Sequence, residues 1–179
     1  GIDIEKYPAV LKHLNQFREQ LEPKPVNFSS KEWKGRKPGS YKWYEIQDAV
    51  DYFAEFEKEK ILWPGISMEI ASFAFDSEFY YGNDNNQMII SSEKLLLAIL
   101  NSSISKFFLQ STCDFVRGGF ARLKIAYVEK LPIAEANDEQ KNKIEKKVMN
   151  ILMNKTQNTN ADTSALESEI DRLVYELYG

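Results

Sequence analysis

The chain has 179 residues, 43% hydrophobic and 13% aromatic, which suits one domain, or one domain with a small helical appendage, and excludes general disorder. Its 23 basic and 27 acidic side chains leave a net charge of −4, which argues against a protein that grips nucleic acid by bulk electrostatics. The longest uncharged stretch, residues 95–105, is far short of a membrane span, and a single cysteine (Cys113) with a single histidine (His13) allows neither an intrachain disulfide nor the soft ligands of a structural zinc site. These features fit a soluble chain in a reducing, cytoplasmic setting. The chain opens with Gly1 and no methionine, and the expectation is a piece cut from a longer protein.

In chain order, Pro8 suits a first helical turn, and Val10, Leu11, Leu14, Phe17 and Leu21 follow at helical spacing, so the pattern predicts an amphipathic helix over residues 8–21. Residues 22–41 hold Pro23, Pro25, Gly35, Pro38 and Gly39 and read as a loop. Short strands are expected at 43–46, 61–63, 73–75, 79–81 and 88–90, with a helix over 47–56 and a hairpin turn over 82–86. Ser92 is placed to cap a core helix that begins at Glu93 and carries Leu95, Leu96, Leu97, Ile99 and Leu100. A second helix runs from about Ser103 to Ser111, and the segment Arg117-Gly118-Gly119-Phe120 breaks the chain again. Asn137 with Gln140, and Ser164 with Glu167, are each spaced like a capping box, and they open an antiparallel helical pair whose apolar stripes serve packing.

The net charge hides a pattern. Residues 24–43 contain Lys24, Lys31, Lys34, Arg36, Lys37 and Lys42 against Glu32 alone, and residues 103–130 carry 5 basic to 2 acidic side chains. Local positive charge on an acidic body suggests a confined surface facing an anion, although lysines in a loop can equally be solvated.

Catalytic signatures are missing from this pattern. His13, on a helix flank, has no nucleophile beside it, no glycine-rich phosphate loop occurs, and no proline pair supplies the Asn-Pro-Pro-aromatic motif of adenine methylation. Four acid-x-lysine triplets occur, as chance gives in a chain that is 28% charged. The chain is therefore read as non-catalytic by itself, with no cofactor or metal site. Recognition chemistry remains. In residues 34–44 cationic side chains alternate with glycines and aromatics, as a loop facing a nucleic-acid groove requires, while Trp43, Tyr44 and Ile46 also read as core residues of a strand. Residues 117–124 repeat the combination, and read either as a contact loop or as a turn with solvated basic ends.

Several stretches together resemble the TaqI-like C-terminal specificity domain of adenine-specific DNA methyltransferases: residues 4–14, Lys42-Trp43-Tyr44-Glu45-Ile46, Lys60-Ile61-Leu62-Trp63-Pro64, the leucine helix ending Ile99-Leu100-Asn101-Ser102, the Gly118-Gly119 turn leading to Leu131-Pro132-Ile133, and residues 169–179. The resemblance implies the target-recognition region of a fused restriction-modification enzyme (type IIG) or a related phage-defence methyltransferase. In such enzymes a preceding domain binds S-adenosylmethionine and methylates a flipped adenine, and some add a nuclease domain, where magnesium would belong. No base-contacting residue carries over, so contacts are assigned from local chemistry. Lys34, Lys37, Lys42 and Lys124 are expected on phosphates, Arg36, Arg122 and then Arg117 on base edges, with Ser40 and Tyr41 completing the first loop.

The expected architecture is α+β, a small mixed sheet with packed helices followed by a C-terminal helical pair, divided as a connecting helix (1–22), a recognition domain (23–134) and a helical spacer (135–179). The expected partners are double-stranded DNA and the methyltransferase domain of the parent, with no membrane. The alternative is a helical module docking on another protein.

Overall fold

The computed structural model describes residues 2–29, 32–48 and 51–179, and its contacts divide the chain into two compact units at Phe53 and Ala54, not at the composition changes near 22 and 134. Lys31 of the basic segment, and Ala49 and Val50 of the helix expected over 47–56, lie outside the described residues. A 3-10 helix occupies Asp51–Glu57.

In the first unit Pro8 opens α1 (Pro8–Asn15) as expected, but the helix is two pieces, with α2 covering Arg18–Leu21. Phe17 leaves helical geometry (φ −113°, ψ 13°), and the amides of Gln16 and Phe17 bond to His13 and Leu14 three residues back. Neither helix buries a residue, and helices this short hold a continuous register only when packing supports them. Trp43 is the single buried side chain among the described residues of this unit. The strand expected at 43–46 is absent. Lys42 and Glu45 close a turn instead, the Glu45 amide donating to the Lys42 carbonyl and the Lys42 amide to the Glu45 carboxylate. Trp43 is indeed buried and Tyr44 half-buried, whereas Ile46 is exposed.

The second unit contains two three-stranded antiparallel sheets where one mixed sheet was expected, and the α+β class stands. In the first, β1 (Lys60–Pro64) lies between β3 (Ala74–Asp76) and β4 (Asn86–Ile90), so that Ile61 faces Phe75 on one side and Ile89 on the other. In the second, the order is β2 (Ile66–Ser67), β6 (Phe120–Arg122) and β5 (Phe115–Val116). Gly65 joins the two sheets: its amide donates to Asn85 and its carbonyl accepts from Leu123.

No strand forms at 79–81. The Asp76 carboxylate accepts the amides of Glu78 and Tyr80, and Phe79 sits at φ +61°, so the segment cannot offer a ladder. The turn at Asn83 is present, but β4 pairs with β1 and no hairpin spans it.

The core gathers on α3 (Lys94–Leu100), which buries Leu95, Leu97, Ala98, Ile99 and Leu100 against Ile61, Trp63 and Phe73. Its N-cap is Glu93 rather than Ser92, and the Glu93 amide is taken by the Ser91 hydroxyl. After it come α4 (Ser103–Thr112), capped by Ser102, and the single turn α5 (Ile125–Val128).

The C-terminal pair, α6 (Asp138–Gln157) and α7 (Ser164–Leu177), contributes Ile144, Val148, Ile170, Leu173 and Val174 to this same core. The Asn137–Gln140 capping box forms in full, and Asn137→Ala should lower stability by about 1 kcal/mol, read as a lower urea midpoint with an unchanged slope. The Ser164–Glu167 box does not form, because Thr163 is the N-cap and its hydroxyl donates to the Glu167 carboxylate at 2.6 Å. Among the described residues no helix is long and apolar enough to cross a membrane.

Candidate nucleic-acid interface

The two basic segments belong to different units and differ in what their cations touch. In the first, a short parallel bridge joins Pro23 to Arg36: the Arg36 amide donates to Glu22 and the Arg36 carbonyl accepts from Lys24, both at 3.0 Å. Gly35 lets the two chains approach, since a β-carbon there would lie 2.2 Å from the Glu22 carbonyl oxygen.

Arg36 then spends its guanidinium on the fold. Its Nε donates to Leu21 (2.7 Å), one terminal nitrogen to Glu45 (2.8 Å), and the other to Lys42 (3.2 Å) and Trp43 (2.8 Å), with the plane 4.6 Å from the centre of the Tyr41 ring. Four of five donors are thereby committed to backbone carbonyls, and a bidentate contact with a guanine edge would require breaking them. The expected base-reading role of Arg36 is corrected on that ground to a clamp that holds residues 21–45.

The loop's other cations are partly engaged. Lys34 lies 3.3 Å from Glu19, and Lys37 pairs with Asp48 at 2.5 Å, its hydrogen bond and charge pulling the Asp48 carboxyl below its ordinary value. Tyr41 is half-buried and donates its hydroxyl to the Lys37 carbonyl, while Ser40 is exposed. Lys42 is exposed beside Tyr44, and the Tyr44 hydroxyl, with Glu45 and Asp3, raises it above the usual lysine value, so it stays charged. These exposed pairs are worth little in water and can open to a phosphate at small cost.

The second segment is the hairpin β5–β6. Gly118 and Gly119 turn it at φ +93° and +81°, a conformation that other residues adopt only under strain. Its base is anchored: Ala121 and Leu123 are completely buried, and the Trp63 indole N–H donates to the Leu123 carbonyl at 2.8 Å. Because strand side chains alternate, burying Ala121 sends Phe120 and Arg122 outward. Ile66 stands opposite Arg122 and Val116 opposite Phe120, so all four share the outer face.

Arg117 and Arg122 are exposed, and among the described residues neither guanidinium has a hydrogen bond or ion pair. Lys124 lies 3.6 Å from Asp114. The Tyr127 hydroxyl hydrogen bond chiefly, then Lys124 and Arg122, hold the Asp114 carboxyl below its ordinary value despite some burial. This hairpin thus carries two arginines with free donors on a fixed base. Sequence reasoning passed over Ile66, Met68 and the outward aim of Phe120; the signal was the alternation Phe120-Ala121-Arg122.

No curated protein matches the chain. Among solved structures, the Type IIL restriction-modification enzyme MmeI, in complex with DNA, matches over 100% of this chain at 17% identity and a TM-score of 0.66, a likeness of fold. The chain spans 25% of that enzyme's length. The sequence profile of the TaqI-like C-terminal specificity domain matches residues 3–133, about three quarters of the chain, and the chain belongs to that family.

Proposed function

We propose that this chain reads the sequence of double-stranded DNA as the specificity domain of a restriction-modification adenine methyltransferase of the type IIG or phage-defence kind, without catalysing a reaction itself. The observation that carries this reading is the β5–β6 hairpin, where Arg117 and Arg122 project from a core-anchored base with their donors unused. Family membership and the DNA-bound enzyme of like fold support it. Methyl transfer, with S-adenosylmethionine, and any cleavage, with magnesium, belong in this reading to other domains of the parent, which works in the cytoplasm. Residues 23–134 carry recognition and the helical pair supports it. Docking on a protein through that pair is disfavoured, because its apolar stripes are filled by the chain's own core.

Phosphate contacts are assigned to Lys34, Lys37, Lys42 and Lys124, with Ser40 and Tyr41 beside them, and base edges to Arg122 and Arg117. Selection from a randomised duplex pool at low salt, followed by anisotropy titration across salt, should enrich a motif bound with a steep salt slope. No enrichment and no salt-dependent binding would defeat the reading. Arg122→Ala should weaken the cognate duplex by about 1 to 3 kcal/mol and relax choice at one base pair, whereas Lys124→Ala should weaken all duplexes alike and lower the salt slope by about 1. Equal losses on cognate and random DNA for Arg122→Ala would remove it from base reading.

A further inference from the structure

The outer face of the second sheet is more than a pair of arginines. Phe120 is 39% exposed and Ile66 48%, Val116 pairs with Phe120 and Ile66 with Arg122, and Met68, 64% exposed, follows directly after the end of β2. Each of the three strands therefore contributes an apolar side chain to this outer face, Val116 and Phe120 in one row and Ile66 with Arg122 in the next. A monomer gains nothing by leaving such a face in water, so it asks for an occupant.

Charge identifies the occupant. Arg122 shares the face and Arg117 stands at the hairpin tip, neither with a hydrogen bond or ion pair among the described residues, whereas the neighbouring carboxylate, Asp114, which also feels the charge of Arg122, is held by Tyr127 and Lys124. A surface with two guanidiniums that make no hydrogen bond or ion pair among the described residues, next to apolar side chains, matches a partner that is anionic yet offers apolar groups. The major groove of DNA is such a partner: it admits a β-ribbon, it presents acceptors on guanine, and the thymine 5-methyl is the apolar group on its base edges.

We infer that this face reads thymine, with Phe120 and Ile66 packing on 5-methyl groups while Arg122 addresses the adjoining base. The inference rests on the proposed DNA-reading function and adds to it the chemical group being recognised.

The test uses the full polypeptide that carries this chain, and its selected duplex with each thymine replaced in turn by deoxyuridine, which lacks only the methyl. At one or more positions the replacement should weaken binding about fourfold, the equivalent of one CH₂-sized group buried. Phe120→Ala should lose a similar factor on the thymine duplex and no longer distinguish thymine from deoxyuridine, whereas Phe120→Leu should still distinguish them. The deoxyuridine series on the unmodified protein needs no variant, so the inference can be overturned even if Phe120→Ala folds poorly.

Indifference to every deoxyuridine, or a Phe120→Ala protein that keeps the distinction, overturns the inference while leaving sequence-specific binding intact. A Phe120→Ala protein with unchanged affinity for every duplex overturns it too. Failure of the thymine duplex itself to be preferred over random DNA would instead strike the proposed function, and this inference with it.

Discussion

Replacing Lys60 by methionine is expected to destabilise the second unit by about 3 to 5 kcal/mol, the cost of leaving one charge of a buried pair behind. Lys60 is completely buried at the start of β1, and its ammonium lies 2.6 Å from the Asp76 carboxylate and 2.7 Å from the Phe56 carbonyl. Asp76, itself 5% exposed, also accepts the amides of Glu78 (2.8 Å) and Tyr80 (2.9 Å). It therefore cannot turn to solvent without releasing the bend at Phe79. Equilibrium unfolding in urea measures the loss, and a loss under about 1 kcal/mol, the range of an exposed pair, would show that the bridge is not holding β1 to β3.

The same pair sets a pH dependence with a defined sign. Burial alone would raise the Asp76 carboxyl, but the hydrogen bond from Lys60 and those from the Glu78 and Tyr80 amides hold it below its ordinary value. A carboxyl depressed in the folded state stabilises above its unfolded pKa, and that contribution is lost as pH falls through the folded one. In Lys60→Met the strongest lowering partner is gone and burial pushes the carboxyl up. The penalty of a buried charge is then present at neutral pH and relieved on protonation, so the gap between the two proteins should narrow as pH falls. A gap that widens toward acid would contradict this account.

Replacing Arg36 by alanine should cost residues 21–45 about 1.5 to 3 kcal/mol of local stability, the range for hydrogen bonds to a charged donor. Arg36→Lys should fare little better, because one ammonium cannot span carbonyls from Leu21, Lys42, Trp43 and Glu45. Amide hydrogen exchange at Lys24 and Arg36, whose bonds form the bridge across the loop, gives the readout. Binding should fall by the same factor on cognate and random DNA. Unchanged exchange together with a loss confined to one base pair would restore Arg36 as a reader and dismiss the clamp.

Elements that depend on neighbours in the sequence were legible. The leucine pattern of α3, the Asn137 box at the start of α6 and the two-glycine turn before Phe120 all appear where periodicity, capping and turn chemistry put them. The misreadings share a cause. Phe79-Tyr80-Tyr81 and Trp43-Tyr44-Glu45-Ile46 have the composition of strands, but a side chain that precedes each segment takes backbone groups a ladder would use. For the first it is Asp76 and for the second Arg36. The Ser164 box fails for a nearer reason, since Thr163 caps the helix one residue earlier and engages Glu167 first.

The α+β class, membership of the family over residues 3–133 and the two places where positive charge gathers follow from the order of residues alone. Which of those charges remain available depends on how the chain folds. Arg36 is consumed by carbonyls as far as 15 positions away, whereas Arg117 and Arg122 stand on a hairpin anchored in the core through Ala121 and Leu123, with no hydrogen bond or ion pair among the described residues. Charge and hydrogen-bond demand are properties of a residue, but their satisfaction depends on which acceptors the fold brings within about 3 Å.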